Sequence, residues 1–184
     1  MKKKIAILLA EGFEEIEAVT CIDISRRAGL DVKIVGVDGM VVKGSHGIGV
    51  SADIEINSYS ELPDAVILPG GMPGVQNLFK APKVQSLIKK VHQAGNVVAA
   101  ICAAPAYVLA PMGILDGKKA TCYFGCEDKL GKKAIYVDQS VVVDGNIITG
   151  KGPAAAMAFA LRIIDLVCGK KVTDPIREKL LYEE

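Results

Sequence analysis

The chain lacks a charge bias. Its 184 residues carry 22 Lys and Arg against 21 Asp and Glu, a formal net charge of +1. That balance steers it toward neither nucleic acid nor an anionic membrane surface. It also lacks a long apolar run, since no stretch approaches the roughly 18 residues of a membrane span. Met1-Lys2-Lys3-Lys4 followed by Ile5–Ala10 imitates a secretion signal only briefly. Glu11 ends the run, and a buried first strand is the better reading. Histidine is scarce. His46 falls in a hairpin, and His92 falls on a helix beside Lys89 and Lys90, where it reads as solvated. Neither follows Cys102, so a plain Cys–His dyad is not written in the chain. The five cysteines (21, 102, 122, 126 and 168) are an odd set that fits reduced thiols and a cytosolic location better than a disulfide framework. Cys122 and Cys126 resemble half a zinc site, but no second Cys or His pair completes it, and no metal is expected. Neither GxGxxG nor GxxxxGK[ST] occurs, which removes the usual phosphate-cradling loops.

What is present is a core. The composition is 51% hydrophobic, with a mean hydropathy of +0.34, enough for one domain over residues 1–184. Lys4–Leu9, Val32–Val37, Ala65–Leu68 and Val97–Ile101 read as strands buried on both faces, the mark of a parallel sheet. Helices alternate with them. Glu14–Ala28 stops at Gly29. Pro82–Ala94 has Val84, Leu87, Ile88 and Val91 on one face and stops at Gly95. Ala154–Cys168 follows Pro153 and stops at Gly169. Met40–Lys43 and Ile48–Ile54 predict a β-hairpin inserted in the sheet, and Val141–Val143 with Ile147–Thr149 predict another. The alternation predicts a doubly wound α/β domain with a mostly parallel sheet.

Ligands in such sheets bind beyond the carboxyl ends of the strands. Three features fall there. Cys102 closes the strand Val97–Ile101 and opens the small-residue run Ala103-Ala104-Pro105-Ala106. A strand-to-helix turn presents its side chain outward on a sharp corner, as in a nucleophile elbow. Helix N–H groups there favour a thiolate, which predicts a thiol titrating below the ordinary value of about 8.5. The competing reading is a small buried thiol, the reading given to Cys126 and Cys168. Pro69-Gly70-Gly71-Met72-Pro73-Gly74 is either a tight turn or, with the Ala103 N–H, an oxyanion hole. Glu17 lines up with Cys21, Ile24 and Ala28 on the apolar stripe of its helix. A carboxyl aimed at the core should have a raised pKa and can donate a hydrogen bond to a thiolate.

These pieces match a family. Ala10-Glu11-Gly12-Phe13-Glu14-Glu15-Ile16-Glu17, Leu68-Pro69-Gly70-Gly71, Ala99-Ala100-Ile101-Cys102-Ala103-Ala104-Pro105 and Lys151-Gly152-Pro153 resemble the signature segments of the DJ-1/ThiJ/PfpI superfamily, nearest its DJ-1/ThiJ branch. The resemblance runs through essentially the whole chain. It implies a flavodoxin-like sandwich with helices on both faces and a homodimer, with His46, Arg26 and Arg27 near its interface. By the family pattern Cys102 is an oxidation-prone nucleophile, Glu17 the carboxyl bonded to it, and Gly71 and Ala103 the backbone donors. No cofactor is implied. Relatives are described as glyoxalase III-type enzymes, protein deglycases and oxidative-stress proteins, which implies a small carbonyl substrate or, alternatively, a redox sensor or chaperone. The PfpI-type peptidases carry His directly after the cysteine; this chain has Ala103, which argues against proteolysis. Relatives often carry a His where Tyr123 stands here. Tyr123 is thus a candidate third partner, but a poor base at neutral pH.

Overall fold

The computed structural model describes residues 2–183. In chain order the elements are β1 (Lys4–Leu9), α1 (Glu15–Arg27), β2 (Asp31–Gly36), β3 (Val41–Lys43), β4 (Gly49–Ser51), β5 (Ile54–Glu55), β6 (Ala65–Leu68), α2 (Gly74–Lys80), α3 (Pro82–Gln93), β7 (Val97–Ile101), β8 (Lys119–Ala120), β9 (Ile135–Tyr136), β10 (Val141–Asp144), β11 (Ile147–Gly150), α4 (Ala156–Cys168) and α5 (Lys170–Leu180). Seven strands form one sheet in the order β10-β11-β7-β6-β1-β2-β5. Every neighbouring pair is parallel except β10–β11. The strands β6 and β7 are buried throughout because helices cover the sheet on both sides. The helices α1 and α4 pack together, as do α2 and α3. On α3 the stripe Val84, Leu87, Ile88 and Val91 is buried as its spacing requires. This is the flavodoxin-like architecture expected. Among the described residues no helix is long and apolar enough to cross a membrane.

Some elements differ from the sequence reading. The hairpin β3–β4 is not inserted in the main sheet; it forms a two-stranded sheet of its own. Asp53 is the reason. Its N–H donates to the Ile34 carbonyl and its carboxylate accepts from the Ile34 N–H, each at 2.8 Å. That two-way bond ends the hairpin and turns Ile54–Glu55 onto the edge of β2. The segment after Cys102 winds as a π-helix, Pro105–Leu109, with Ala110 donating to Pro105. Nothing in the pattern announced α2 or the polar α5, which holds Pro175. His92 is half-buried rather than solvated, with Nδ1 shielded from water and unpartnered.

The topology places a crevice. From β1 the chain winds toward β2 on one side, while β6, β7 and β11 lie on the other. The loops after β1, β6 and β7 therefore meet at the carboxyl edge of the sheet.

The hairpin is welded to this edge. Gly12 donates to Lys43 and Ser45 donates to Phe13, both at 2.8 Å. Buried Glu15 accepts from the N–H groups of His46 (2.7 Å) and Ile48 (3.3 Å) and from the Ser45 hydroxyl (3.2 Å), with His46 Nδ1 at 3.0 Å. Burial alone would raise its pKa. The His46 ring and the main-chain donors outweigh that and hold it at about 2 against an ordinary 4.5. The clamp thus contributes stability above pH 4.5 that is lost as pH falls toward 2. Glu15→Ala should speed amide exchange at His46 and Ile48 and cost about 1–3 kcal/mol at neutral pH. Unchanged exchange at those two amides would show that the clamp holds nothing.

Candidate active site

Cys102 is one of two described non-glycine residues in the left-handed region, at φ 64°. A non-glycine residue there costs roughly 1–2 kcal/mol, so the surroundings must impose it. They do so through both of its main-chain groups. The Cys102 N–H donates to Gly150 at 2.9 Å, at the end of β11, and the Cys102 carbonyl accepts from Tyr123 at 2.7 Å. The expected elbow is therefore present, and its side chain points away from the sheet into the crevice formed with the β6 loop.

Gly70 and Gly71 follow β6 and line the other side. A Cβ on Gly70 would stand 2.5 Å from the Cys102 Cβ, and 2.9 Å from both its sulfur and Glu17 Oε2. Only glycine lets the three groups close up. The Gly70 N–H donates to Glu17 Oε2 at 2.7 Å, and the Gly70 carbonyl accepts from Glu14 at 2.9 Å. The N–H groups of Ala103 and Gly71 both reach the Cys102 sulfur. Cys102, Glu17, Gly71 and Ala103, singled out in the sequence, are thus brought together.

Glu17 is fully buried. Oε2 has its bond from Gly70, while Oε1 is shielded and has no hydrogen-bond partner. Burial pushes the carboxyl up to about 7. The Gly70 N–H and the Cys102 thiol pull it down, and the nearby Glu14 charge pushes it up. The expectation for the thiol itself is corrected. Burial and the Glu17 charge push Cys102 up, and the N–H groups of Ala103 and Gly71 only partly oppose them. The elbow donors are real, but the helix behind them is five residues long, and a carboxylate shares the same buried pocket. The pair admits one negative charge and resists a second. Hence a thiolate at Cys102 requires a protonated Glu17, whose carboxyl can then donate to sulfur.

Tyr123 enters this arrangement through its main chain. Its half-exposed ring lies over Gly152, where a Cβ would approach it to 3.2 Å, and it takes no part in the hydrogen bonds around the sulfur. Cys126 and Cys168 are half-buried rather than core thiols. Cys21, one turn beyond Glu17, is buried, and burial together with Glu17 pushes its thiol up. Cys122 is pushed up to about 12 by burial and by Cys126. Among the described residues one group has ligand-like spacing: Glu14, Glu15 and His46, with donor atoms within 4.8 Å of one another. Glu15 is already committed to the hairpin, so the group acts as an ion-paired turn. Sequence reasoning missed this role of Glu15, because three glutamates within Glu14–Glu17 look alike until the hairpin is folded against them.

A family model described as DJ-1/PfpI family matches residues 3–166. Protein DJ-1 homolog B of Arabidopsis thaliana is 39% identical over 171 residues, covering 92% of this chain and 39% of the relative. The chain thus spans about two fifths of that relative's length. The glutathione-independent glyoxalase DJR-1.2 of Caenorhabditis elegans is 33% identical over 181 residues, covering 97% of this chain and 96% of the relative. The solved structure of Toxoplasma gondii DJ-1, oxidized, superposes with a TM-score of 0.95 at 36% identity, covering 99% of this chain and all of that one.

The raised Glu17 pKa has a sign. Its folded value of about 7 lies above the ordinary 4.5. The folded state is therefore favoured most below pH 4.5 and loses stability as pH rises through 7. Glu17→Gln, which cannot ionise, should be more stable than wild type at pH 8 by on the order of 3 kcal/mol and should match it near pH 4. Urea unfolding at the two pH values checks this. A difference independent of pH would mean that Glu17 titrates as an ordinary carboxyl.

Proposed function

The chain belongs to the DJ-1/PfpI family, and on that premise we propose that it is a cysteine-dependent enzyme acting on small reactive carbonyls or glycated adducts, of glyoxalase III or deglycase type. One observation carries this reading: a strained cysteine at an elbow sharing a buried pocket with a protonatable, half-satisfied carboxyl. The nematode relative named a glutathione-independent glyoxalase supports the carbonyl class.

The steps follow from the atoms. The Cys102 thiolate adds to the aldehyde carbon of a 2-oxoaldehyde, and the carbonyl oxygen takes the Glu17 proton, giving a hemithioacetal and leaving Glu17 as carboxylate. The Gly71 and Ala103 N–H groups face the negative charge as it moves from sulfur to oxygen. Glu17, as carboxylate, removes the proton from that carbon and returns it to the neighbouring one through an enediol. The result is a thioester, and water hydrolyses it to a 2-hydroxy acid and the free thiol. A pKa near 7 suits a group that must both give and take a proton. Glycated amines or thiols would use the same covalent entry. Peptide hydrolysis is disfavoured, because Ala103 leaves the position beside the nucleophile without a base. Tyr123 contributes a pocket wall rather than a proton.

The single seven-stranded sheet, with strands drawn from β1 to β11, supports reading 1–184 as one such domain. Ile16 and Val19 on α1 and Val41 and Ile48 on the hairpin are exposed apolar side chains, and with the family pattern that puts Arg26, Arg27 and His46 near an interface they support a homodimer. Five free thiols support a reducing, cytoplasmic setting.

Cys102→Ser should abolish conversion of methylglyoxal to lactate. Glu17→Gln should slow it by about 10²-fold or more, in line with lost general acid–base catalysis. Wild-type turnover in Glu17→Gln would demote that residue to a structural part.

A second reading, a redox sensor or redox-regulated chaperone, is favoured by the same donors. They can hold the oxygens of an oxidised sulfur, and the Toxoplasma relative was solved in an oxidised state. Mild peroxide should oxidise Cys102 before the other thiols and stop at the sulfinate, read by peptide mass mapping. Earlier oxidation of Cys122 or Cys126 would overturn this.

A further inference from the structure

A cleft of about 280 Å³ lies beside the elbow, walled by Tyr123, Phe124, Ser140, Lys151, Gly152 and Pro153. Both walls are tied to the main chain of Cys102. Tyr123 donates to the Cys102 carbonyl, and Cys102 donates to Gly150, which runs directly into Lys151-Gly152-Pro153. Two aromatic rings dominate the surface. Tyr123 and Phe124 meet edge to face with centroids 6.3 Å apart. Phe124 is 79% exposed, an unusual position for so large an apolar side chain. Gly152 is what lets the Tyr123 ring lie close to the backbone. The cation of the cleft, Lys151, is ion-paired with Asp138, so no free positive charge is offered to an anion. The chemistry therefore selects a neutral, apolar occupant with a π face. Size agrees, since an apolar cavity of about 150 Å³ already holds benzene.

We infer that Tyr123 and Phe124 form a subsite for the apolar, aromatic flank of the carbonyl substrate, so that this chain favours aryl-substituted 2-oxoaldehydes over glyoxal. The inference rests on the reading of Cys102 as a carbonyl nucleophile. The sulfur bonds to the aldehyde carbon, the π pair of that carbonyl goes to oxygen with a proton, and the aryl group on the adjacent keto carbon lies against the two rings. No oxidant or further reactant is needed. Phe124 is a specificity residue here, because it touches the substrate away from the reacting atoms.

The test compares kcat/KM for phenylglyoxal and glyoxal, each normalised to the reactivity of that aldehyde with free cysteine. Wild type should favour phenylglyoxal by about tenfold or more, the range that apolar pockets achieve, and Phe124→Ala should lose most of that preference. An unchanged ratio in Phe124→Ala overturns the subsite. A parallel measurement separates this failure from failure of the carbonyl reading. Alkylation of Cys102 by N-phenylmaleimide and N-methylmaleimide needs no turnover. A phenyl preference above that of free cysteine, lost in Phe124→Ala, supports the subsite even if neither aldehyde is consumed. A ratio equal to that of free cysteine overturns it.

Discussion

The hydrogen bond from the Gly70 N–H to the Glu17 carboxyl is made where no side chain can intrude, and the site is arranged around it. The bond fixes a fully buried acid at the end of β6, and the absence of a Cβ on Gly70 brings that acid against the Cys102 sulfur. Three loops from three parallel strands must converge for this contact to exist. The β1 loop brings α1 and Glu17, the β6 loop brings the two glycines, and the β7 loop brings the elbow. The hairpin clamped by Glu15 holds the first of these loops from outside.

The unfavourable features of the site are concentrated and mutually dependent. A carboxyl has been taken out of water with one of its oxygens unbonded, and a cysteine is held in a glycine's conformation. Each is tolerated because the surrounding sheet is buried and rigid. In the proposed chemistry each is also what the reaction uses. The main-chain donors of Gly71 and Ala103 are already oriented toward the sulfur, so in the proposed reaction charge would move to a substrate oxygen with little rearrangement.

Much of this was legible in the residue order. The buried runs at β1, β6 and β7 declared a parallel sheet, and Glu17 stood out because it occupied an apolar position on α1. Cys102 stood out because small residues followed it directly. What was not legible depended on contacts between distant segments. An elbow argument sees only the residues beside Cys102, so it predicts a lowered thiol; burial and a carboxyl 85 positions earlier in the chain push it the other way. The detachment of the hairpin depends on Asp53 meeting Ile34. The π-winding after the elbow has no period that a short apolar run could reveal. The exposure of Phe124 is likewise invisible in a sequence, where an apolar residue between Tyr123 and Gly125 reads as an unremarkable loop.

The left-handed backbone of Cys102 also bears on how such a site drifts. Glycine would occupy that conformation without strain, and a single base change in either cysteine codon yields a glycine codon. The relaxed backbone is therefore one mutational step away at all times, and for the elbow itself it is the easier conformation to fold. A lineage that stopped using the thiol would have no backbone reason to keep it. The strain at Cys102 is thus a property of the residue chosen, and not of the turn it occupies.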